Sequence, residues 1–447
     1  MSDTFGLSGD AKAKLLARLS NRAPAPAEVH APKPPLGRSE VLGDIAMVKR
    51  AGEALAIRNP YFRPHEGIAG ATTLIDGKSY DNFVSYNYLG LNGDPRVTEA
   101  AKQAIDRYGT SVSASRIVSG ERPIHRDFEK ALAEVYEAED AVVLVSGHAT
   151  NVTVIGHLVG RDDLILHDSL SHNSIVQGAL ASGAQRIAFP HNDMDELERL
   201  LGAARSNAGR ALIVVEGHYS MDGDVPDLAR LVAIAKMHGA HLMVDEAHSL
   251  GVLGARGHGI AEHAGVNPGD VDVWMGTLSK TLSGCGGYIA GSGELIEYLK
   301  SSAPGFVYSV GLAPPLAAAG LESLRIMHAE PERVVQLQAN ARHFLEAARA
   351  NGLDTGPSIG AAIVPIMIGS SIVAARVADR LFDRCINVQP IIYPAVPEQA
   401  ARLRFFLSSL HDIAQLDRVA RAVAEALAEV RAERIDLGAL ASRLAAE

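Results

Sequence analysis

The 447-residue chain has only two cysteines, Cys285 and Cys385, and neither belongs to a Cys-x-x-Cys pair. The sequence therefore predicts no disulfide framework and no zinc ribbon, and it favours a reducing cytoplasm as the compartment. No stretch approaches about eighteen consecutive apolar residues, and the first residues lack the apolar core of a signal peptide. We expect no transmembrane segment, and a peripheral contact with a membrane stays open.

Runs of basic residues are also absent, and the formal net charge is −10. Proteins that bind nucleic acids usually carry a basic face, so we expect no nucleic-acid partner. Hydrophobic residues make up 47% of the chain and charged residues 21%. This balance is typical of a globular protein with a large buried core, in two or three domains or in one large and one small domain.

Periodicity divides the chain into three predicted parts. Residues 1–94 form an N-terminal extension, a linker and a small segment that contains a hairpin at 72–86. Between 95 and 330, helical stretches alternate with short apolar runs such as ALIVVEG. This pattern predicts one large α/β domain with a mostly parallel sheet that is buried on both faces. Residues 331–447 are predicted to form a smaller α+β C-terminal domain.

Polar segments follow four of the apolar runs, where a parallel sheet collects its functional groups. Asp245 in VDEAHS ends one run. A buried carboxylate needs a partner, so it serves either as a helix cap or ion-pair partner, or it keeps a pyridinium nitrogen protonated. Lys280 in GTLSKT follows another run; such a lysine is usually a surface residue, but once desolvated it can condense with an aldehyde. Together they predict a pyridoxal-phosphate (PLP) site, with His248 near the phenolic oxygen of the ring.

Other residues fit the same cofactor. The backbone N–H groups at the predicted start of the helix after AVVLV could bind a phosphate. An ordinary helix cap without a ligand would have the same sequence pattern. His172 lies near His167 and Asp168, but their spacing matches no zinc motif, so we expect ring stacking by His172 and no metal site. The residues predicted to lie near the phosphate are Gly147, His148, Thr277 and Ser279.

Arg402 and Arg404 lie two residues apart on a predicted strand and would face the same side of the sheet. One of them could bind a substrate carboxylate through two hydrogen bonds. The alternative is a pair of arginines that faces solvent.

Over residues from about 70 to 435, these segments resemble the α-oxoamine synthases, a family of fold-type-I PLP enzymes. The resemblance implies an aspartate-aminotransferase-like fold, with a large, mostly parallel seven-stranded sheet domain and a smaller α+β C-terminal domain. It also implies an acyltransferase that joins an amino acid to an acyl thioester with loss of carbon dioxide. The motifs that carry it are SYNYLGL (85–91), SRIVSG (115–120), SHNS (171–174), EGHYSMDGD (216–224), VDEAHSLGVLG (244–254), GTLSKT (276–281), YSVGLAPP (308–315) and RLRFFLSSLH (402–411).

The resemblance also implies roles for single residues. Lys280 matches the Schiff-base lysine, which also removes the Cα proton, and Asp245 matches the partner of the pyridine nitrogen. His172 matches the histidine stacked on the ring, and His248 matches the contact to the phenolic oxygen. Ser309 matches a phosphate contact from the other subunit, which implies a homodimer with shared active sites. The remaining implied positions are Gly147, His148, Ser220, Thr277 and Ser279 for the cofactor, and Asn87, Ser115 and Arg404 for the substrate.

Within the family, several details favour the serine palmitoyltransferases. They are the segment SYNYLG, the serine that ends VDEAHS, the serine before the lysine in GTLSKT, and Ser115 before Arg116, where a small hydroxyl leaves room for a serine substrate. The expected reaction joins L-serine to a palmitoyl thioester, carried on coenzyme A or on an acyl carrier protein. The product would be 3-ketodihydrosphingosine, in the first step of sphingolipid synthesis.

Two departures and four alternatives accompany this expectation. His148 stands where the family usually has an aromatic residue, and residues 391–397 lack an arginine that is common in the bacterial serine palmitoyltransferases. The open alternatives are an 8-amino-7-oxononanoate synthase that uses alanine, a glycine-using member, an aminotransferase of the same fold and a catalytically inactive regulatory subunit.

Overall fold

The computed structural model describes residues 10, 13–14, 36–37 and 39–433. Most of the linker predicted in the N-terminal extension lies outside these residues. Contacts group the chain into two units, Met1–Ala56 with Asp436–Glu447, and Ile57–Ile435. Helix α1 (Ser39–Ala54) belongs to the first unit, and every element named below belongs to the second. The domain boundaries at 94 and 330 stay a prediction.

An antiparallel hairpin precedes the large domain. Strands β1 (Thr72–Ile75) and β2 (Lys78–Asn82) are joined at Asp76 and Gly77, whose φ angles are 51° and 71°. Aspartate tolerates this left-handed region, and glycine adopts it without a steric penalty, which is why the dipeptide makes a tight turn. The predicted hairpin is confirmed, although its second strand ends at residue 82.

Seven strands form the central sheet, in the spatial order β3-β9-β8-β7-β6-β4-β5. Neighbouring strands are parallel, except that β9 runs antiparallel to β3 and β8. The predicted seven-stranded, mostly parallel sheet is confirmed. The strands are β3 (Asp140–Leu144), β4 (Leu164–Asp168), β5 (Gln185–Phe189), β6 (Ala211–Glu216), β7 (His241–Asp245), β8 (Val273–Thr277) and β9 (Gly287–Gly291).

Apolar side chains cover both faces of this sheet. Along β6, Ile213 and Val215 belong to one hydrophobic cluster, and Leu212 and Val214 belong to another. Successive side chains of a strand point to opposite faces, so a continuous apolar run is what a sheet buried on both sides requires. The helices of this region are α2 (Pro95–Tyr108), α3 (Pro123–Val135), α4 (Gly147–Leu158), α5 (Asn173–Ser182), α6 (Met194–Ala204), α7 (Leu228–His238), α8 (Ile260–Ala264), α9 (Gly293–Ser302), α10 (Pro304–Val307) and α11 (Pro314–Ala329).

The C-terminal part is α+β, as predicted. Its antiparallel sheet has the order β10-β13-β12, and β11 extends the N-terminal hairpin by pairing with β2. No helix in the described part of the chain is both long and apolar enough to cross a bilayer. The elements are α12 (Glu332–Ala350), β10 (Ile363–Met367), α13 (Ser371–Asp383), β11 (Ile386–Asn387), β12 (Gln389–Ile391), β13 (Arg402–Phe406) and α14 (Ile413–Ala432).

Candidate active site

The carboxyl ends of three parallel strands bring the central polar residues together. Glu216 ends β6, Asp245 ends β7 and Thr277 ends β8, and Glu216 pairs directly with Asp245 across the two strands. Lys280 lies in the turn that follows β8. This is the edge at which open α/β sheets bind their ligands.

Lys280 is partly buried. Burial lowers the pKa of its ammonium to about 8, against the opposing attraction of Asp245 and Glu216. Its Nζ lies 5.6 Å from the centre of the Tyr86 ring. A lysine with this pKa has a substantial neutral fraction near neutral pH, and the neutral amine is the form that attacks an aldehyde.

Asp245 is buried, and both carboxylate oxygens accept hydrogen bonds. The Ala247 N–H donates to Oδ1 at 2.9 Å, and Asn151 Nδ2 donates to Oδ2 at 2.7 Å. Within residues 39–433, no basic side chain forms an ion pair with this carboxylate. A buried carboxylate without a counter-ion fits a positively charged ring nitrogen, because such a partner would supply the missing charge.

Two neutral histidines flank this carboxylate. Burial lowers the pKa of His172 and lowers that of His248 well below its ordinary value. The Tyr88 hydroxyl lies 2.7 Å from His248 Nδ1, and burial raises the pKa of this phenol. A protonated Tyr88 that donates to Nδ1 leaves the imidazole proton on Nε2. His248 can then donate a hydrogen bond to an anionic oxygen.

The start of α4 forms a narrow cradle beside Thr277. A Cβ atom on Gly147 would lie 2.5 Å from Thr277 Oγ1, so this approach requires a glycine. Thr277 Oγ1 lies 2.9 Å from Ser279 Oγ, and Ser146 caps the helix by accepting from the Ala149 N–H. First-turn N–H groups of a helix have no acceptor within the helix. Together with two hydroxyls they fit the phosphate of PLP.

The two arginines on β13 have different surroundings. Arg402 forms an ion pair with Asp222 and also donates to the Met221 carbonyl at 3.2 Å. Arg404 forms no ion pair with any residue of the described chain; its Nη1 donates to the Ser220 carbonyl at 3.2 Å, and its buried Nε has no partner. Arg404 is therefore the member of the pair that is free to bind a carboxylate.

The remaining predicted residues do not all meet in one cavity. Asn87 and Lys280 line a cavity of about 340 Å³, but the Asn87 amide donates to the carbonyls of Ala69 and Asn92 at 3.2 and 3.0 Å. Ser115 and Ser309 do not line this cavity. Their segments adjoin each other, since the Gly311 N–H donates to the Ala114 carbonyl at 3.1 Å. The substrate roles of Asn87 and Ser115 and the phosphate role of Ser309 stay predictions.

Sequence reasoning missed several residues of the site, namely His65, Tyr88, Asn151, Ser174 and Glu216. Tyr88, Ser174 and Glu216 lie inside motifs that carry the family resemblance, so those motifs held a signal for them. Asn151 lies inside a helix without any motif, and His65 lies outside every motif.

Comparisons with known proteins identify the family of the chain. The family model "Aminotransferase class I and II" matches residues 80–423. An 8-amino-7-oxononanoate synthase of Thermosipho melanesiensis is 40% identical over 357 residues, which cover 80% of this chain and 90% of that protein. The solved Sphingomonas wittichii serine palmitoyltransferase is 31% identical with a TM-score of 0.84, covering 88% of this chain and 98% of that one. A solved 8-amino-7-oxononanoate synthase from Francisella tularensis is 26% identical with a TM-score of 0.68, covering 79% and 98%.

The chain belongs to the aminotransferase class I and II family of fold-type-I PLP enzymes. Within this family it is an α-oxoamine synthase, an acyltransferase with PLP as its cofactor. The predicted fold, family and cofactor are confirmed. The narrower prediction of a serine palmitoyltransferase is not confirmed. That name occurs among structural neighbours near 30% sequence identity, whereas the sequence relatives near 40% identity are named 8-amino-7-oxononanoate synthases.

Proposed function

We propose that this α-oxoamine synthase joins L-alanine to an acyl thioester with loss of carbon dioxide. The observation that carries this choice is the 40% identity to an 8-amino-7-oxononanoate synthase over most of both chains. The name of that product describes a nine-carbon acid with an amino group at carbon 8 and a ketone at carbon 7. Alanine would supply carbons 8 and 9, and a seven-carbon acyl group with a terminal carboxylate would supply the rest.

The overall reaction balances without an oxidant or a reductant. A bond forms between the amino-acid Cα and the thioester carbonyl carbon, and the thiol leaves with a proton. The bond from Cα to the carboxylate breaks, carbon dioxide departs, and Cα regains a proton. When bound, PLP supplies the electron sink that makes these Cα bonds labile.

The residues of this chain would divide the remaining work. Lys280 anchors the cofactor and moves the Cα proton, for which its low pKa is suited. Arg404 binds the amino-acid carboxylate, because its buried Nε has no partner and it forms no ion pair with the described residues. Asp245 faces the ring nitrogen, His248 donates to the phenolic oxygen, and His172 packs on the ring. The phosphate would be held by Gly147, His148, Thr277 and Ser279, as predicted from sequence.

A homodimer with shared active sites is part of the proposal. Ser115 and Ser309 lie outside the cavity of their own chain and next to exposed apolar side chains. Val118 is 79% exposed and Tyr308 is 86% exposed, which places both among the most exposed large hydrophobic side chains of the described residues. A second copy of the chain would cover them and would bring Ser309 to the neighbouring phosphate. Light scattering of the purified protein tests this: a monomer at micromolar concentration would contradict it.

L-Serine is the second candidate substrate. The solved serine palmitoyltransferase superposes with a TM-score of 0.84, whereas the solved 8-amino-7-oxononanoate synthase reaches 0.68. The closer superposition therefore favours serine as the substrate, whereas the higher sequence identity favours alanine. The donor thiol is coenzyme A or an acyl carrier protein, and both are tested below.

A substrate matrix distinguishes the candidates. L-Alanine, L-serine and glycine would each be combined with a seven-carbon dicarboxylic monothioester and with a palmitoyl thioester, on both thiol carriers. Carbon dioxide release and the mass of the amino ketone are measured. We expect alanine to give the highest kcat/KM. A clear preference for serine with a palmitoyl thioester would replace this proposal with the serine palmitoyltransferase activity, and keto-acid formation without carbon dioxide would contradict both.

A further inference from the structure

A series of hydrogen bonds connects Glu216, His172, Ser174, Asn151 and Asp245 at the candidate cofactor site. The Glu216 carboxyl accepts from the His172 backbone N–H at 2.6 Å, and His172 Nδ1 lies 2.7 Å from Ser174 Oγ. Asn151 Nδ2 then donates to Ser174 Oγ at 2.9 Å and to Asp245 Oδ2 at 2.7 Å. Glu216 and Asp245 are neighbours on adjacent strands, so strand pairing, and not a hydrogen bond, closes the circuit.

Asn151 is the member of this circuit that touches both functional ends. It lies in α4 with 1% of its surface exposed, and a single amide nitrogen bridges the two acceptors. An amide nitrogen has two hydrogens, so both bonds can form at once. A carboxylate gains stability in its ionised form from each donor that it accepts. The Asn151 amide is therefore placed to orient the Asp245 carboxylate and to fix the Ser174 hydroxyl beside His172.

The packing of α4 on α5 makes this bridge possible. Gly178 on α5 lies so close to α4 that a Cβ atom there would be 2.7 Å from the Asn151 carbonyl oxygen and 2.9 Å from Ile155 Cβ. Both contacts are shorter than real Cβ contacts, so the helix separation depends on the missing side chain. The close approach places Ser174, at the start of α5, within hydrogen-bond distance of Asn151.

We propose that Asn151 is a positioning residue for PLP, which orients Asp245 directly and His172 through Ser174. This inference rests on the proposed roles of Asp245 and His172 and does not depend on which amino acid is the substrate. Asn151 touches no reacting atom, and its effect would pass through the two side chains that face the cofactor. Burial and the nearby Asp245 raise the pKa of Glu216 to about 8, so near neutral pH Glu216 is a largely protonated carboxyl group that accepts from the His172 N–H.

The test compares three variants of the full-length protein without any substrate present. Asn151→Ala removes both bonds, and Ser174→Ala removes only the connection to His172. Val154→Ala is the control, because Val154 is buried on the same helix and takes no part in the circuit. PLP affinity is measured by absorbance titration of the apoprotein, and Tm is measured with and without PLP.

We expect Asn151→Ala to weaken PLP binding by about 10- to 100-fold, in line with the loss of a hydrogen bond to a buried charged group. The rise in Tm on adding PLP should shrink accordingly. Ser174→Ala should show a smaller loss, and Val154→Ala should lower Tm equally with and without PLP. An affinity of Asn151→Ala within about twofold of the Val154→Ala control would overturn the proposal.

Asn151→Ser covers the case in which the alanine variant fails to fold, since a hydroxyl can restore one of the two bonds. It should bind PLP more weakly than the wild type, and equal binding by the two proteins would count against the proposal. Under saturating PLP, kcat should fall more than KM for the amino acid rises, because Arg404 lies outside the circuit. A change confined to KM would also overturn the proposed positioning role of Asn151. If the wild-type enzyme does not use alanine, the substrate proposal fails, but the measurements of PLP affinity still test the role of Asn151.

Discussion

Replacing His191 by glutamine tests an ionic contact that joins two loops beside the active site. His191 Nδ1 lies 2.9 Å from Asp168 Oδ1, and Nε2 lies 2.8 Å from Asp224 Oδ2. Both ring nitrogens therefore donate to carboxylates, which requires the charged imidazolium. Asp168 precedes the loop that carries His172, and Asp224 ends the loop whose Ser220 carbonyl accepts from Arg404.

The magnitude follows from the pKa of His191. Its two carboxylate partners raise the pKa to about 10 against the effect of burial, from an ordinary value of 6.5. At about 1.4 kcal/mol per pKa unit, the shift corresponds to at most about 4–5 kcal/mol of stability. The folded-state pKa lies above the unfolded one, so this stability is fully present below pH 6.5 and is lost as the pH rises through about 10.

Thermal unfolding from pH 6 to pH 10 measures this contribution. The wild type should lose stability across this range with a slope approaching about 1.4 kcal/mol per pH unit, and His191→Gln should be less stable at pH 6 with a flatter profile. His241→Gln is the matched control, because His241 pairs with Asp272 while 57% of its side chain is exposed. Surface pairs of this kind contribute little, so this variant should follow the wild type. Parallel profiles for His191→Gln and the wild type would refute the reasoning.

Three further predictions concern Lys280 and the arginines of β13. Lys280→Ala should be inactive and colourless after purification, and absorbance typical of a lysine-bound cofactor in this variant would contradict the assignment. The rate at which the wild-type apoprotein takes up PLP covalently should rise with pH through a midpoint near 8, because the neutral amine of Lys280 is the reactive form. Arg404→Ala should raise KM for the amino acid by about 10- to 100-fold with a small change in Tm, whereas Arg402→Ala, which leaves the buried Asp222 unpaired, should mainly lower Tm. Equal effects of the two arginine variants on KM would contradict the distinction between them.

The parts of the site that sequence could predict lie at strand ends. Asp245 and Lys280 each follow a buried apolar run, and parallel strands bring such positions to one edge of the sheet. The choice between Arg402 and Arg404 could not be made in this way, because both point to the same side of one strand. What separates them is Asp222, a partner about 180 residues away in sequence that pairs with only one of them.

Asn151 shows a different limit of sequence reasoning. Its side chain acts only because two helices pack closely enough for it to reach Ser174, and no local sequence pattern predicts the distance between two helices.

The prediction of the substrate met a third limit. It rested on a few positions such as Ser115, whereas the similarity to the 8-amino-7-oxononanoate synthases is spread over 357 residues.

The Arg404 guanidinium, which forms no ion pair with the described residues, has a consequence for handling the protein in the laboratory. Its pKa is lowered by burial, and a partly buried cation without a counter-ion is energetically unfavourable until an anion arrives. Small carboxylates such as acetate or formate would satisfy it and would then compete with the amino acid. Carboxylate buffers should therefore raise the Tm of this enzyme while raising its apparent KM, and an assay in a zwitterionic buffer without a free carboxylate avoids both effects.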